Sequence, residues 1–192
     1  MNTSGKGMSV RALSIIGITC FIVCVLLIGC TRDSDTRLAV DKDGKTVVER
    51  YGRLQVIGTN LCNEAGQPVQ LRGMSSHALH WYGKYANATV LKWLRDDWNA
   101  QLWRAAMYVT EGGYMTGKAV KFKMIDSIEA AIENGMYVLV DWHVHRDRNP
   151  NIYKKEAIEF FTEIAQQYHS YPNIIYEICN EPNGDDVSWS GE

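Results

Sequence analysis

The 192-residue sequence has little that would mark a specialised class. Its formal net charge is −2, and its Lys and Arg residues never gather into a basic run. Nucleic-acid binding requires such an electrostatic footprint, so no nucleic-acid partner is expected. It has five cysteines, of which Cys20, Cys24 and Cys30 fall within or at the end of an apolar N-terminal stretch. Cys62 and Cys179 remain, too few and too far apart for a disulfide framework. Both are expected as buried free thiols. No internal repeat or low-complexity segment is present. Phenylalanine is scarce, at 4 residues against 6 Trp and 10 Tyr. Rings with a polar handle suit a surface that is both flat and wet. The rest is ordinary: 46% hydrophobic and 22% charged residues fit one modest globular domain.

The N-terminus differs in character from the remainder of the chain. Lys6 and Arg11 flank the start of ALSIIGITCFIVCVLLIG, which leads to Cys30. A positive segment before an apolar one is an export signal. At about 18 residues the apolar stretch also suffices to cross a bilayer, so an uncleaved anchor is the competing reading. Leu27-Ile28-Gly29-Cys30 resembles the lipobox of bacterial lipoproteins. That resemblance implies a signal peptide over 1–29, lipidation of Cys30, and attachment to a membrane at the cell surface or in the periplasm. Residues 30–50 are polar, charged and without period, which predicts a flexible tether. A single domain is then expected over 51–192.

Within that domain the segments RLQVIGTNLCN and PVQLRGMSS, joined by NEAGQ, predict a small hairpin running into a buried strand. Thereafter the pattern alternates. ATVLKWLRDDW has helical spacing, AQLWRAAMYV reads as a strand, and GKAVKFKMIDSIEAAIENG is an amphipathic helix stopped at Gly135. MYVLVDWH is a strand, NIYKKEAIEFFTEIAQQYH a helix halted by Pro172, and NIIYEICNE a further strand. Strands alternating with helices of this length mean βαβ units and a parallel sheet. Strand parity places Arg104, Ala106 and Tyr108 on one face and Trp103, Ala105 and Met107 on the other. A cation beside a small residue suits a barrel interior. The expected fold is therefore an α/β (β/α)8 barrel, with about the first four units present in this chain.

The polar residues gather at the C-terminal ends of the strands, where such folds build their sites. His77, Arg104 with Tyr108, Asp141 with His143, and Asn180 with Glu181 all lie there. A carboxylic acid at such a strand end works as a general acid when its surroundings keep it protonated. Pro182 biases Glu181 toward an extended backbone, which would aim the carboxylate into the barrel mouth. Read alone, EPNG is equally good turn chemistry.

Taken together, IIYEICNEPNG, LRGMSSHALHWYG, WNAQLWRAAMYV and YVLVDWH resemble glycoside hydrolase family 5, most closely its bacterial endo-β-1,4-glucanase branch. The resemblance runs from about Tyr51 to Asp186. It implies a retaining hydrolase of β-1,4-glucan, without a cofactor and monomeric at full length. Glu181 would be the acid/base and Asn180 a hydrogen-bond donor to the sugar 2-hydroxyl. Arg104 would support the nucleophilic carboxylate and His143 would line the cleft. His77, Trp81 and Tyr108 would flank sugar subsites, since a flat ring such as Trp81 suits the apolar face of a pyranose. Asp141 and Glu177 are read as structural polar residues.

Two features stand apart. His145, two residues after His143, occupies a position where the family pattern usually has an aliphatic residue. A His-x-His pair at a barrel strand end also suits a metal-dependent hydrolase, although no metal site is expected here. Retaining hydrolysis needs two carboxyl groups about 5 Å apart, and no stand-in for the nucleophile follows Glu181. The resemblance places that nucleophile on a seventh strand. The expectation is an inactive N-terminal part of a longer enzyme, with Arg104 lacking its carboxylate partner. Other readings are a half-barrel that only binds surface glycans, or a mannanase or xyloglucanase with the same chemistry.

Overall fold

A computed structural model describes residues 34–188. The chain divides into two compact units, 1–36 and 37–192, and the second carries the fold. The stretch read as a signal peptide and Cys30 lie outside the described residues. Among the described residues no helix is long and apolar enough to cross a membrane.

The first α-helix among the described residues, α1 (Val47–Tyr51), overlaps the end of the 30–50 segment where a flexible tether was expected. The sequence TVVE explains it: Thr46 caps the Glu49 amide while the Glu49 side chain returns to the Thr46 amide, closing a capping box. Val47 and Tyr51 are buried against Tyr137, with Leu54, Val69, Leu71, Leu102 and Ile175 around them. Residues 38–51 therefore belong to the domain rather than to a linker.

A hairpin of β1 (Gln55–Ile57) and β2 (Asn60–Cys62) comes next. Its turn is Gly58-Thr59, inside the segment read as one strand, and Gly58 supplies the positive φ of 61° that so tight a turn needs. NEAGQ forms a second reversal, bonded from the Asn63 amide to the Gln67 carbonyl.

The central element is a parallel sheet in sequence order: β3 (Gly73–Ser75), β4 (Leu102–Tyr108), β5 (Tyr137–His143) and β6 (Ile174–Glu177). Between them lie α2 (Leu79–Tyr82), α3 (Ala88–Trp98), α4 (Val120–Glu133) and α5 (Lys154–Tyr168). Asn87 caps the start of α3, and Asn99 ends it in the left-handed region at φ 54°. Gly135 stops α4 at φ 60°, and a side chain there would also overlap Thr46.

Period-2 parity holds along β4. Trp103, Ala105 and Met107 join Val138, Val140 and Trp142 of β5 in one apolar layer under Leu91, Met124, Ile128, Phe160 and Ile164 of the helices. Burying each large side chain of this kind contributes about 1.5–3 kcal/mol. The other face carries Arg104, Ala106 and Tyr108 away from the layer formed by α3, α4 and α5. The result is part of an α/β barrel, whose two edges among the described residues are β3 and β6.

Candidate active site

The register of the sheet decides which polar residues meet. Ala106, Asp141 and Glu177 occupy one cross-strand layer, with Arg104 two residues below on the same face. The small Ala106 leaves room above the guanidinium. Arg104 uses it by donating to Glu177 through Nε at 2.7 Å and Nη2 at 2.6 Å. Nη2 also lies 2.9 Å from Asp141 Oδ2 and donates to Asn180 Oδ1 at 3.0 Å. Arg104 thus has two carboxylate partners in this chain, neither of them the nucleophilic carboxylate it was expected to lack. Glu177 holds it further into its charged form, against the opposing effect of burial.

Asp141 is fully buried, and burial pushes its carboxyl upward against the pull of His143 and Arg104. Its Oδ2 accepts from His143 Nδ1 at 2.6 Å, which fixes the donor side of that ring. His143 stacks on Tyr108 with centroids 4.3 Å apart and planes 10° from parallel. From Tyr108 a strip of rings continues: His77 at 5.8 Å and Trp81 at 6.0 Å, with His77 and Trp81 stacked on each other. Trp81 exposes 56% of its surface, leaving a ring face open to solvent. Burial raises the Tyr108 phenol, and the Glu111 and Asp141 charges add to the effect.

Asn180 is buried beyond the end of β6. Its Oδ1 accepts from Arg104 and its Nδ2 donates to the Val144 carbonyl at 2.9 Å. One amide hydrogen remains for a ligand. Glu181 comes next, exposed, close enough to act on Arg104 and Tyr108 through its charge. Its backbone is not extended: φ is 41°, in the left-handed region. The Asn183 side chain donates to the Glu181 carbonyl at 2.7 Å and the Asn183 amide donates to the Arg148 carbonyl, so local hydrogen bonding overrides the bias set by Pro182.

His77, Trp81, Arg104, Tyr108, His143, Asn180 and Glu181, the residues given site roles, all lie toward this one edge of the sheet. Asp141 and Glu177, read as structural polar residues, form the network that sets the position of Arg104, whereas sequence reading gave Glu111 no role. His145 Nδ1 lies 2.7 Å from Glu111 Oε2. Among the described residues no three His, Cys, Asp or Glu side chains group as a metal would need. Cys62 and Cys179 are free, the first buried and the second partly so. Burial raises the Cys179 thiol to about 11.

Fold and site together define part of an α/β barrel with a cation held between carboxylates and an aromatic strip at the C-terminal edge of its sheet. Residues 42–192 match the cellulase family, glycosyl hydrolase family 5, and the chain belongs to it. It is 54% identical over 144 residues to endoglucanase A of Evansella cellulosilytica, covering 75% of this chain and 30% of that protein. It is 48% identical to an endoglucanase of Clostridium saccharobutylicum, covering 73% of this chain and 32% of that one. The crystallised catalytic domain of Thermobifida fusca endoglucanase Cel5A superposes with a TM-score of 0.71 at 46% identity, covering 74% of this chain and 47% of that one. The chain spans about a third of the length of the curated relatives it matches.

Proposed function

We propose that the protein is an endo-acting glycoside hydrolase that cleaves β-1,4-glucan of the cellulose type with retention of configuration. The observation that carries this reading is the arrangement of Asn180. It is tied to Arg104 and to Val144 and immediately precedes an exposed Glu181, beside the Trp81–His77–Tyr108 strip. The endoglucanase names of the relatives support the substrate class.

In the proposed mechanism a glucan chain lies along the strip, with Trp81 against an apolar sugar face. The free amide hydrogen of Asn180 meets the 2-hydroxyl at the cleavage point. Glu181 gives its proton to the glycosidic oxygen while a carboxylate nucleophile bonds to the anomeric carbon. Glu181, now ionised, then takes a proton from the water that releases the sugar. Asp141 and Glu177 are committed to Arg104, and Asp141 also to His143, so neither serves as nucleophile. That group is assigned to a glutamate outside residues 34–188, and residues 30–192 alone are proposed to be inactive. Attachment to a membrane through lipidated Cys30 is proposed on the Leu27–Cys30 motif.

The test is release of reducing ends from soluble β-1,4-glucan by the protein from its source, set against its Glu181→Gln variant. Loss of about 10²–10⁴-fold in kcat is expected. Retained activity would remove Glu181 from the mechanism. Cleavage by residues 30–192 alone would show that the nucleophile lies within them.

A further inference from the structure

The loops after β4 and β5 are joined by a cluster that takes no part in the proposed hydrolysis. Both oxygens of the Glu111 carboxylate are occupied: Oε2 by His145 Nδ1 at 2.7 Å and Oε1 by Arg146 Nε at 2.9 Å. The Glu111 side chain is only 15% exposed, although it sits on a surface loop. Its backbone is left-handed, at φ 56°, which works against the steric preference of any residue with a Cβ.

The surrounding turn enforces that conformation. The Gly113 amide donates to Thr110, and the Tyr114 amide donates back to Tyr108 at 2.8 Å. A side chain at Gly113 would overlap the Tyr108 carbonyl, and one at Gly112 would press on the His80 ring. An unfavourable backbone kept by so tight a frame points to a use for the side chain it carries.

Bracing the two loops does not by itself account for His145. Thr110 Oγ1 already donates to Asp147 Oδ1 at 2.6 Å across the same gap, and Arg146 already reaches Glu111. What His145 adds is an imidazole, 47% exposed, with one nitrogen fixed and the other open. Donation from Nδ1 to the carboxylate leaves the lone pair of the neutral ring on Nε2. The ring centroid lies 5.5 Å from Tyr108 and 6.3 Å from His143, so it borders the aromatic strip.

The geometry points to His145 as a specificity-determining contact for a hydroxyl of a glucosyl unit lying along Tyr108, with Glu111 as its positioning residue. The choice of a glucosyl unit rests on the glucanase reading; the orientation of the ring does not. An open Nε2 accepts from a sugar hydroxyl at a set angle. An aliphatic side chain there would offer only contact area.

Calorimetry of cellotetraose and cellohexaose with the full chain tests this through two substitutions that separate the nitrogens. His145→Asn keeps the nitrogen near Glu111 and removes the distal one, whereas His145→Gln keeps the distal reach. The Asn variant is expected to bind cellohexaose about fivefold to tenfold more weakly, and the Gln variant within about twofold of the unchanged chain. A purely structural role would not follow the distal nitrogen in this way. Should the Asn variant not fold, Glu111→Leu carries the test, with an expected loss of about threefold from the unanchored ring.

Unchanged affinity in the Asn variant, with binding lost in Trp81→Ala, would overturn this inference and leave the substrate class standing. Absence of binding by the unchanged chain, with cleavage still given by the protein from its source, would overturn this inference alone; absence of both would overturn both.

Discussion

The two ends of the same four strands are built on opposite terms. At the N-terminal end, three buried polar side chains reach across to backbone carbonyls. Tyr137 donates to Gly52 at 2.6 Å, Asn173 to Met136 at 2.9 Å, and Gln101 to Leu38 at 3.0 Å. A capped helix and an apolar cluster close that end. At the C-terminal end, Asp141 Oδ1, Trp142 Nε1 and Asp147 Oδ2 are buried without a hydrogen-bond partner among the described residues. Three non-glycine residues there, Glu111, Arg148 and Glu181, have positive φ. One end of the sheet closes on an apolar cluster, and the other retains strain and unsatisfied polarity of the kind that functional sites keep.

The substitution with the largest expected effect within this contrast is Arg104→Met, which should break it. Removing the guanidinium leaves the fully buried Asp141 facing Glu177 without a cation. A loss of about 3 kcal/mol in urea unfolding is expected, at the lower end for a broken buried pair because Arg104 is partly exposed. Stability unchanged by this variant would mean that the upper end contributes nothing to the fold. Thr46→Ala should sharpen the contrast from the other side. Loss of the capping box is expected to cost about 1 kcal/mol in stability while leaving cello-oligosaccharide affinity as it was.

The smallest effect concerns pH. Burial raises the Asp141 carboxyl in the folded chain above its value in the unfolded one. Between those two values the folded state holds more protons, so this residue's contribution to stability falls as pH rises. The window opens at about pH 4, the ordinary carboxylate value, and closes at the raised folded one. Asp141→Asn should flatten that part of the curve of urea midpoint against pH; an unaltered slope would assign it to another group.

Legibility in the sequence followed the range of the interaction. Strand and helix alternation is local, and the boundaries of α3 match the apolar spacing because Asn87 and Asn99 cap it chemically. Parity alone placed Arg104 inward. The helix α1 was also legible, since Thr46-x-x-Glu49 is a capping-box signature, but the charged residues around it masked the signal. The partners of Arg104 were not, because Asp141 and Glu177 reach it only through the register of two further strands. Glu111 and His145 lie in different loops, and no sequence pattern links them. The φ of Glu181 is set by Asn183 and Arg148, against a preference that was read correctly from Pro182.

Strand order has a consequence for how such a domain emerges from the ribosome. The sheet runs β3-β4-β5-β6 without a crossing, and paired positions such as Gly73 and Leu102, Leu102 and Tyr137, or Val138 and Ile174 are about 30 to 36 residues apart. Each strand therefore docks on one that has already been synthesised, and each closure carries nearly the same entropic cost. Growth proceeds at a single moving border, where the newest strand is always the template for the next. Strand order thus lets sheet assembly run in the direction of synthesis, because each strand's neighbour has always emerged before it.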